Sequence, residues 1–538
     1  MGRQQNLQKL KDGRSFDLIV IGGGATGCGI ALDAAARGLH VALIEKNDFS
    51  EGTSSRSTKL VHGGVRYLEM AIKKLDRVQY NLVRDGLRER YVLLENAPHL
   101  SNRLPLVTPL YKWIEVPYVF SGLKLYDILS GKRNIGKSRL LSRKEALRRF
   151  PTLKADGLKA GVLYYDGQFH DARMALSLAL TAEQHGAIIA NHVAATGFCR
   201  EDGKIVGAVL TDSLTGESWS AKARGVINAA GPFVDQVRRM DDPAASRLLS
   251  ASTGIHLVLD KRFAPPDTGL MIPETEDGRV LFVLPWEDHA LVGTTDEPAE
   301  ISEHPKPRES EINYLLRHVA RYFNLQVEKA DIKAVWSGLR PLVSDPEAAD
   351  TAKLARDHVI EDSDAGLLTI AGGKWTTYRK MAEDTVDHAL RRFHLSAPKP
   401  ACQTEHLRII GGADYREDGD LDLVRQFDLA ADVAAYLHRT YGDQAGRVAL
   451  LAQQGYGSRL VENHPLLDAE VLYAVRHELA ERVIDVLARR TPLALLDTAA
   501  ARKAAPRVLQ IMAAELGWDP QRCDAEARLV EKRLTEAL

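Results

Sequence analysis

Cysteine is scarce in this chain: four residues in 538, at positions 28, 199, 402 and 523, with no Cys-x-x-Cys pair. So thin a scatter excludes the disulfide framework of a small secreted domain and the paired ligands of a structural zinc site, and it fits a reducing compartment. Long apolar runs are also missing. Nothing approaches the ~18 uninterrupted apolar residues that a membrane-spanning helix needs. An excess of either charge is absent, with 71 Lys and Arg against 72 Asp and Glu and a formal net charge of −1. Bulk nucleic-acid binding is therefore not expected, and any charged partner must be met by a local patch. The polar start from Met1 to Ser15 lacks the apolar centre of a secretory signal, and Asn6 stands where a myristoylation signal wants Ser or Thr. Two look-alikes also fail. His477-Glu478-Leu479-Ala480-Glu481 ends in Glu where a zinc protease needs its second His, and Gly216-Glu217-Ser218 lacks a nucleophile-elbow context.

What is present begins early. A β-run, Leu18-Ile19-Val20-Ile21, is followed by Gly22-x-Gly24-x-x-Gly27, a helical pattern reaching Gly38, and a second β-run, Val41-Ala42-Leu43-Ile44, that closes on Glu45. Gly22 permits the tight turn, Gly24 admits a pyrophosphate against the backbone, and Gly27 with Ala31 lets helix and sheet pack closely. The helix N-terminus, at Ala25 and Thr26, turns partial positive charge toward the pyrophosphate. Glu45 is placed to accept the ribose hydroxyls. The unit reads as a dinucleotide site, and its extended form favours FAD. A later strand, Leu367 to Ala371, runs into Gly372-Gly373-Lys374-Trp375-Thr376-Thr377, a second helix start able to hold charge developing on a reduced flavin.

At 538 residues the chain is too long for one core, so two or three domains are expected. A Ser/Thr/Gly-dense loop, 50–68, must run back across the dinucleotide. Residues 72–96 read as a long helix with an apolar stripe. From 105 to 150 aromatic and apolar residues (Trp113, Ile114, Tyr118, Phe120, Tyr126) lead into a basic run including Lys132, Arg133, Lys137 and Arg139. Ser142-x-x-Glu145 is a capping box opening a short helix that Pro151 stops. Gly161–Tyr165 predicts a strand, Ala172–His185 a helix and Ala187–Ala194 another strand, with hairpin turns at Asp202-Gly203 and Thr215-Gly216. Residues 252–300 alternate in β fashion, and after about Cys402 the chain turns helical to its end.

Two constellations could carry chemistry. The loop Thr53-Ser54-Ser55-Arg56-Ser57-Thr58-Lys59-Leu60-Val61-His62-Gly63-Gly64 offers hydroxyls and amides to a pyrophosphate or flavin edge, and His62 could titrate near the reacting centre. A scattered set of cations, Arg66, Arg340, Arg356 and Lys374, suits a phosphate if the fold gathers it.

These segments match a family. The chain resembles the FAD-dependent, quinone-linked (aerobic) glycerol-3-phosphate dehydrogenases over nearly its whole length. The resemblance is carried by Ile21–Gly27, Lys59-Leu60-Val61-His62-Gly63-Gly64-Val65-Arg66-Tyr67-Leu68-Glu69, Asn228-Ala229-Ala230-Gly231-Pro232, Gly293-Thr294-Thr295-Asp296, Ser337-Gly338-Leu339-Arg340-Pro341-Leu342, Gly373–Lys380 and Asp485-Val486-Leu487-Ala488-Arg489-Arg490-Thr491. It implies an α/β fold: a Rossmann-like FAD-binding domain of the amine-oxidase-like (D-amino-acid oxidase) type, an antiparallel β substrate domain and a C-terminal α-helical domain. The expected division is 16–400 for the oxidoreductase region and 401–538 for the helical domain. Within the first, FAD-binding parts fall at about 16–80, 150–250 and 335–400, and cap parts at about 81–149 and 251–334.

The resemblance further implies that sn-glycerol 3-phosphate lies among Arg66, Tyr67, Arg340, Arg356 and Lys374. Glu45 would hold the adenosine ribose, and Thr53, Ser54, Lys59, Leu60, His62, Gly63, Gly373, Thr376 and Thr377 would line FAD. The expected reaction moves a hydride from C2 to FAD, with Arg340 polarising the C2 oxygen and His62 or His256 accepting its proton. Electrons would pass to a quinone, placing the protein peripherally on the cytoplasmic face of the inner or cell membrane, or in the cytoplasm if soluble. A homodimer is possible. Three departures from the family pattern, His358 after Arg356-Asp357, Trp375, and Arg56-Ser57-Thr58, leave the implied chemistry intact and bear only on which local flavin contacts carry over. The alternatives are a glycerol-3-phosphate oxidase using O2, another amine-oxidase-like flavoenzyme, or a flavin-binding interaction protein without catalysis.

Overall fold

A computed structural model describes residues 2–64, 68, 77–273, 275–276, 278–343 and 358–536. The chain builds two sheets and a helical C-terminal quarter. In the first sheet the order runs His358–Asp362, Leu367–Gly372, Ser218–Asn228, Ser15–Ile21, Val41–Ile44, Ile188–Ala190. Ser15–Ile21 lies parallel to both neighbours, with Ile21 beside Asn228 on one side and Ile44 on the other. Leu18, Ile19 and Val20 are fully buried, as a strand covered on both faces requires. The helix Ala25–Ala36 packs on this sheet beside the helices Asp171–Gln184 and Tyr378–Arg392.

The second sheet is mostly antiparallel and has as its spine the long pair Leu249–Asp260 and Ile332–Val343. The strands Leu281–Trp286 and His289–Gly293 continue it, and Ser101–Leu110 and Ala160–Phe169 form its other half. The return to the nucleotide-binding part, expected at about 150, therefore comes only after Phe169. Full-length pairing of Ala160–Phe169 with Ser101–Leu110 keeps that strand in the second sheet.

The single strand expected over Ala187–Ala194 is two, Ile188–Ala190 and Val193–Glu201. The break falls at His192, whose φ of +54° turns the chain while its amide donates to the Asn47 carbonyl at 2.6 Å. The capping box at Ser142 is formed, and it opens the helix Arg143–Arg149. The helix expected over 72–96 is described from Arg77 to Asn96. The aromatic stretch after Trp113 is the helix Glu115–Ser130. Beyond Cys402 every long element is a helix, and these helices share one apolar core with Trp286, Leu284 and Trp336 of the second sheet.

Candidate functional site

The first turn of the nucleotide unit is shaped by what cannot fit there. Gly22 has φ +113°, and a Cβ on it would stand 2.5 Å from the Ala229 carbonyl oxygen. A Cβ on Gly27 would reach the Gly22 carbonyl oxygen at 1.8 Å, and one on Gly24 would meet Ser54 Oγ at 3.0 Å. The helix starting at Ala25 is capped by Gly24 with no side-chain hydrogen bond and has no acid in its first turn. That end is complementary to an anion. Glu45 follows the adjacent strand, accepting from the amides of Gly23 at 2.6 Å and Asn47 at 2.9 Å, and burial raises its carboxyl pKa. The backbone cradle, the bare helix end and the acid at the neighbouring strand tip together fit FAD, at the point where strand order reverses.

The loop after Glu45 is tied to distant segments. The Ala25 amide donates to Ser54 Oγ at 2.9 Å, Thr53 Oγ1 donates to the Leu339 carbonyl at 2.7 Å, and Trp375 Nε1 donates to the Ser54 carbonyl at 2.8 Å. Farther on, the His62 amide donates to Thr376 Oγ1 at 3.3 Å. The fold thus brings Thr53, Ser54, His62, Gly63, Leu339, Gly373, Thr376 and Thr377 to one region. Lys59 enters it through its backbone only, since its ammonium is buried and held between Asp171 (2.7 and 2.8 Å) and the Ser55 carbonyl. Leu60 is a buried strand residue beside it.

Two side chains project from the spine of the second sheet. Arg340 is fixed by Asp296 Oδ1 (3.0 Å), Thr294 Oγ1 (3.0 Å) and the carbonyls of Thr295 (2.9 Å) and Thr253 (3.2 Å). Gly254 leaves room for it, because a Cβ there would lie 2.3 Å from an Arg340 Nη. His256 stacks on Trp336 with ring centroids 4.2 Å apart and shares a 2.9 Å hydrogen bond between Nε2 and Thr58 Oγ1. Burial, with the charges of Lys59 and Arg340, pushes its pKa well below the ordinary value and keeps the imidazole neutral. Its Nδ1 is buried without a hydrogen-bond partner among the described residues.

Arg66, Tyr67 and Arg356 lie outside the described residues. Lys374 caps the turn Trp375–Thr377, its carbonyl accepting from the Thr377 amide and hydroxyl. Sequence reasoning missed the Lys59–Asp171 pair, the Trp336 stack and the support of Gly63. The Gly63 amide donates to Tyr126 Oη at 2.7 Å. That hydroxyl donates to Asp166 at 2.8 Å, and Asp166 is paired with Arg90 at 2.7 Å. The one available signal was Asp171 at a helix start; the other contacts join residues far apart in the chain.

Comparison with known proteins gives a consistent picture. A family model described as "FAD dependent oxidoreductase" matches residues 17–379, and "C-terminal domain of alpha-glycerophosphate oxidase" matches 402–523. The chain is 48% identical to the probable mitochondrial glycerol-3-phosphate dehydrogenase of Caenorhabditis elegans, over 96% of this chain and 73% of that one. It is 45% identical to the mitochondrial glycerol-3-phosphate dehydrogenase of Homo sapiens, over 99% and 75%. Among solved structures, the glycerol-3-phosphate dehydrogenase of Bacillus halodurans complexed with FAD superposes with a TM-score of 0.81 at 31% identity, covering 99% of this chain and 97% of that one.

Proposed function

The chain belongs to the FAD-dependent glycerol-3-phosphate dehydrogenases, and on that premise we propose that it oxidises sn-glycerol 3-phosphate at C2 to dihydroxyacetone phosphate. FAD supplies the hydride acceptor, and a membrane quinone receives the electrons in turn. The observation that carries the reading is convergence. The loop through His62, the Arg340–His256 spine and the turn after Gly372 meet at the ends of the first sheet's strands.

Arg340 is assigned to the C2 oxygen. Its guanidinium is already fixed by Asp296 and Thr294, so little reorganisation is needed as negative charge grows on that oxygen. Lys374, together with Arg66, Tyr67 and Arg356, is assigned to the phosphate, a remote anchor whose binding energy positions C2. His62 or His256 accepts the hydroxyl proton; neutral His256 is in the accepting form, though its burial makes it a weak base.

Quinones reside in lipid, and no helix among the described residues is long and apolar enough to cross a membrane. We therefore assign the protein to a membrane surface, on its cytoplasmic face, through the helix Glu115–Ser130 and the basic run after it. The side of that helix facing the protein buries Leu123, Tyr126 and Ser130, while Ile114, Tyr118 and Ile128 face outward. Trp113 is 67% exposed, Ile114 81% and Ile128 72%. A helix apolar on both sides, with one side uncovered, suits an interface between water and lipid, with Lys132, Arg133, Lys137 and Arg139 meeting anionic headgroups.

Anaerobic mixing of the yellow protein with glycerol 3-phosphate should bleach the flavin absorbance rapidly, and a soluble quinone analogue should restore it. An unbleached flavin would overturn the substrate. Restoration by air alone, with stoichiometric peroxide, would overturn the quinone.

A further inference from the structure

The motif Asp485–Thr491 lies in the helical C-terminal domain, far in sequence from the flavin-binding unit, yet its arginines reach the loop that follows Glu45. Arg490 grips Asp48 with both Nη atoms, at 2.5 and 2.9 Å, and Arg489 Nε meets the same carboxylate at 2.5 Å. Arg490 also donates to the Glu478 carbonyl at 3.0 and 2.6 Å. Arg489 is held from its own side by Asp485 at 2.6 Å and extends to Glu51 at 3.3 Å, where Arg533 of the last helix joins it at 3.3 Å. Asn191 adds a 2.9 Å hydrogen bond to Asp48. Asp48, Asp485 and Arg490 are fully shielded from solvent. Burial would raise the Asp48 carboxyl, but Arg490 and Arg489 hold it below its ordinary value.

The gripped loop is the one that shapes the dinucleotide cradle. Phe49, next to Asp48, is buried against Gly23, where an added Cβ would stand 2.6 Å from its ring. Ser50 adopts φ +66°, a conformation an L-residue holds only when its surroundings enforce it. Its amide donates to the Gly23 carbonyl at 2.9 Å, while its buried hydroxyl has no partner among the described residues. Four residues later Ser54 Oγ receives the Ala25 amide at the helix start. A strained segment is thus clamped from beneath by guanidinium groups and presses from above on Gly23 and Ala25.

We propose that Arg489 and Arg490 of the C-terminal domain are positioning residues for the FAD site, setting the loop Asn47–Ser54 through Asp48 and so fixing how tightly FAD is held. The proposal rests on the assignment of FAD to the glycine turn and adds a role for the helical domain.

The test is FAD release from full-length holoenzyme, followed by the rise in free flavin fluorescence after dilution. Arg490→Lys keeps the charge but loses the two-pronged grip, and FAD should leave on the order of tenfold faster. Arg533→Gln loosens only the Glu51 end and should speed release by roughly a few-fold. The rise in melting temperature on adding FAD should shrink in Arg490→Lys and Arg533→Gln, which a general loss of packing would not require. If Arg490→Lys fails to fold, Arg489→Lys, which keeps the charge but can no longer bridge Asp48 and Asp485, decides the matter. Unchanged FAD release in the folded variants would overturn the clamp while leaving FAD binding intact. A wild-type protein that refuses FAD would overturn the cofactor assignment itself.

Discussion

At the scale of single residues, space decides as much as charge. Arg340 and His256 occupy room that Gly254 and Gly293 leave; a Cβ on Gly293 would stand 2.2 Å from the His256 ring. Alanine at 254 must push Arg340 away from Thr294 and Asp296. Gly254→Ala and Arg340→Ala should therefore both retain FAD and both lose about 100-fold in turnover, the scale of losing one electrostatic stabiliser. Stopped-flow reduction with the flavin content measured beside it separates the two quantities. Near-normal reduction in Arg340→Ala would remove it from the chemistry. Which residues were legible beforehand follows from the same contacts. Gly22, Gly24, Gly27 and Glu45 could be read because their tasks are local, set by one turn and the adjacent strand. Thr58 against His256, Trp336 under that ring, and Asp171 on Lys59 could not, since each depends on how two distant segments are registered. Lys59, which the resemblance places beside FAD, is a further case: its ammonium is buried between Asp171 and the Ser55 carbonyl, a pairing set by the distant helix that Asp171 begins.

At the scale of elements, the helix Glu115–Ser130 is not legible in the sequence, because its apolar residues occupy both sides and leave no clear helical period. One side supports the loop at Gly63, with Tyr126 carrying the Gly63 amide on an Asp166–Arg90 pair that is itself buried. The other side carries Ile114, Tyr118 and Ile128 outward, with Trp113 just before the helix. If that side meets lipid, two kinds of change should act differently. Trp113→Ser with Ile114→Ser removes apolar insertion and should weaken binding to neutral and anionic vesicles alike. Neutralising Lys132, Arg133, Lys137 and Arg139 together should weaken binding to anionic vesicles only, and high salt should mimic it. Arg133 also faces Glu405 at 3.7 Å, an exposed pair whose loss should cost the fold little. Vesicle sedimentation reads both, and binding unchanged in the two variants would remove this surface from consideration.

At the scale of the whole molecule, the helical C-terminal domain is not a separate body hung on a flavoprotein. Its core residues Val483, Val486, Leu487 and Leu493 belong to one apolar cluster with Trp286 and Trp336 of the second sheet. The buried Trp336 indole, stacked under His256, donates to the Leu495 carbonyl at 3.2 Å. The Arg173–Glu478 pair, at 2.7 Å and nearly solvent-free, ties the helical domain to the helix Asp171–Gln184, whose first residue holds Lys59. Breaking a buried pair of this kind leaves a lone charge and costs about 3–5 kcal/mol. A domain whose separation would expose a shared core and several such charges cannot melt on its own before the rest. Calorimetry of the full chain should then show the helical domain unfolding within the FAD-dependent transition. FAD at about 100 times its dissociation constant should stabilise that transition by about 2.7 kcal/mol. A helical-domain transition that stays at fixed temperature while the flavin domain moves would show that the shared core does not couple them. It would also leave the reach of Arg490 into the nucleotide loop without energetic consequence.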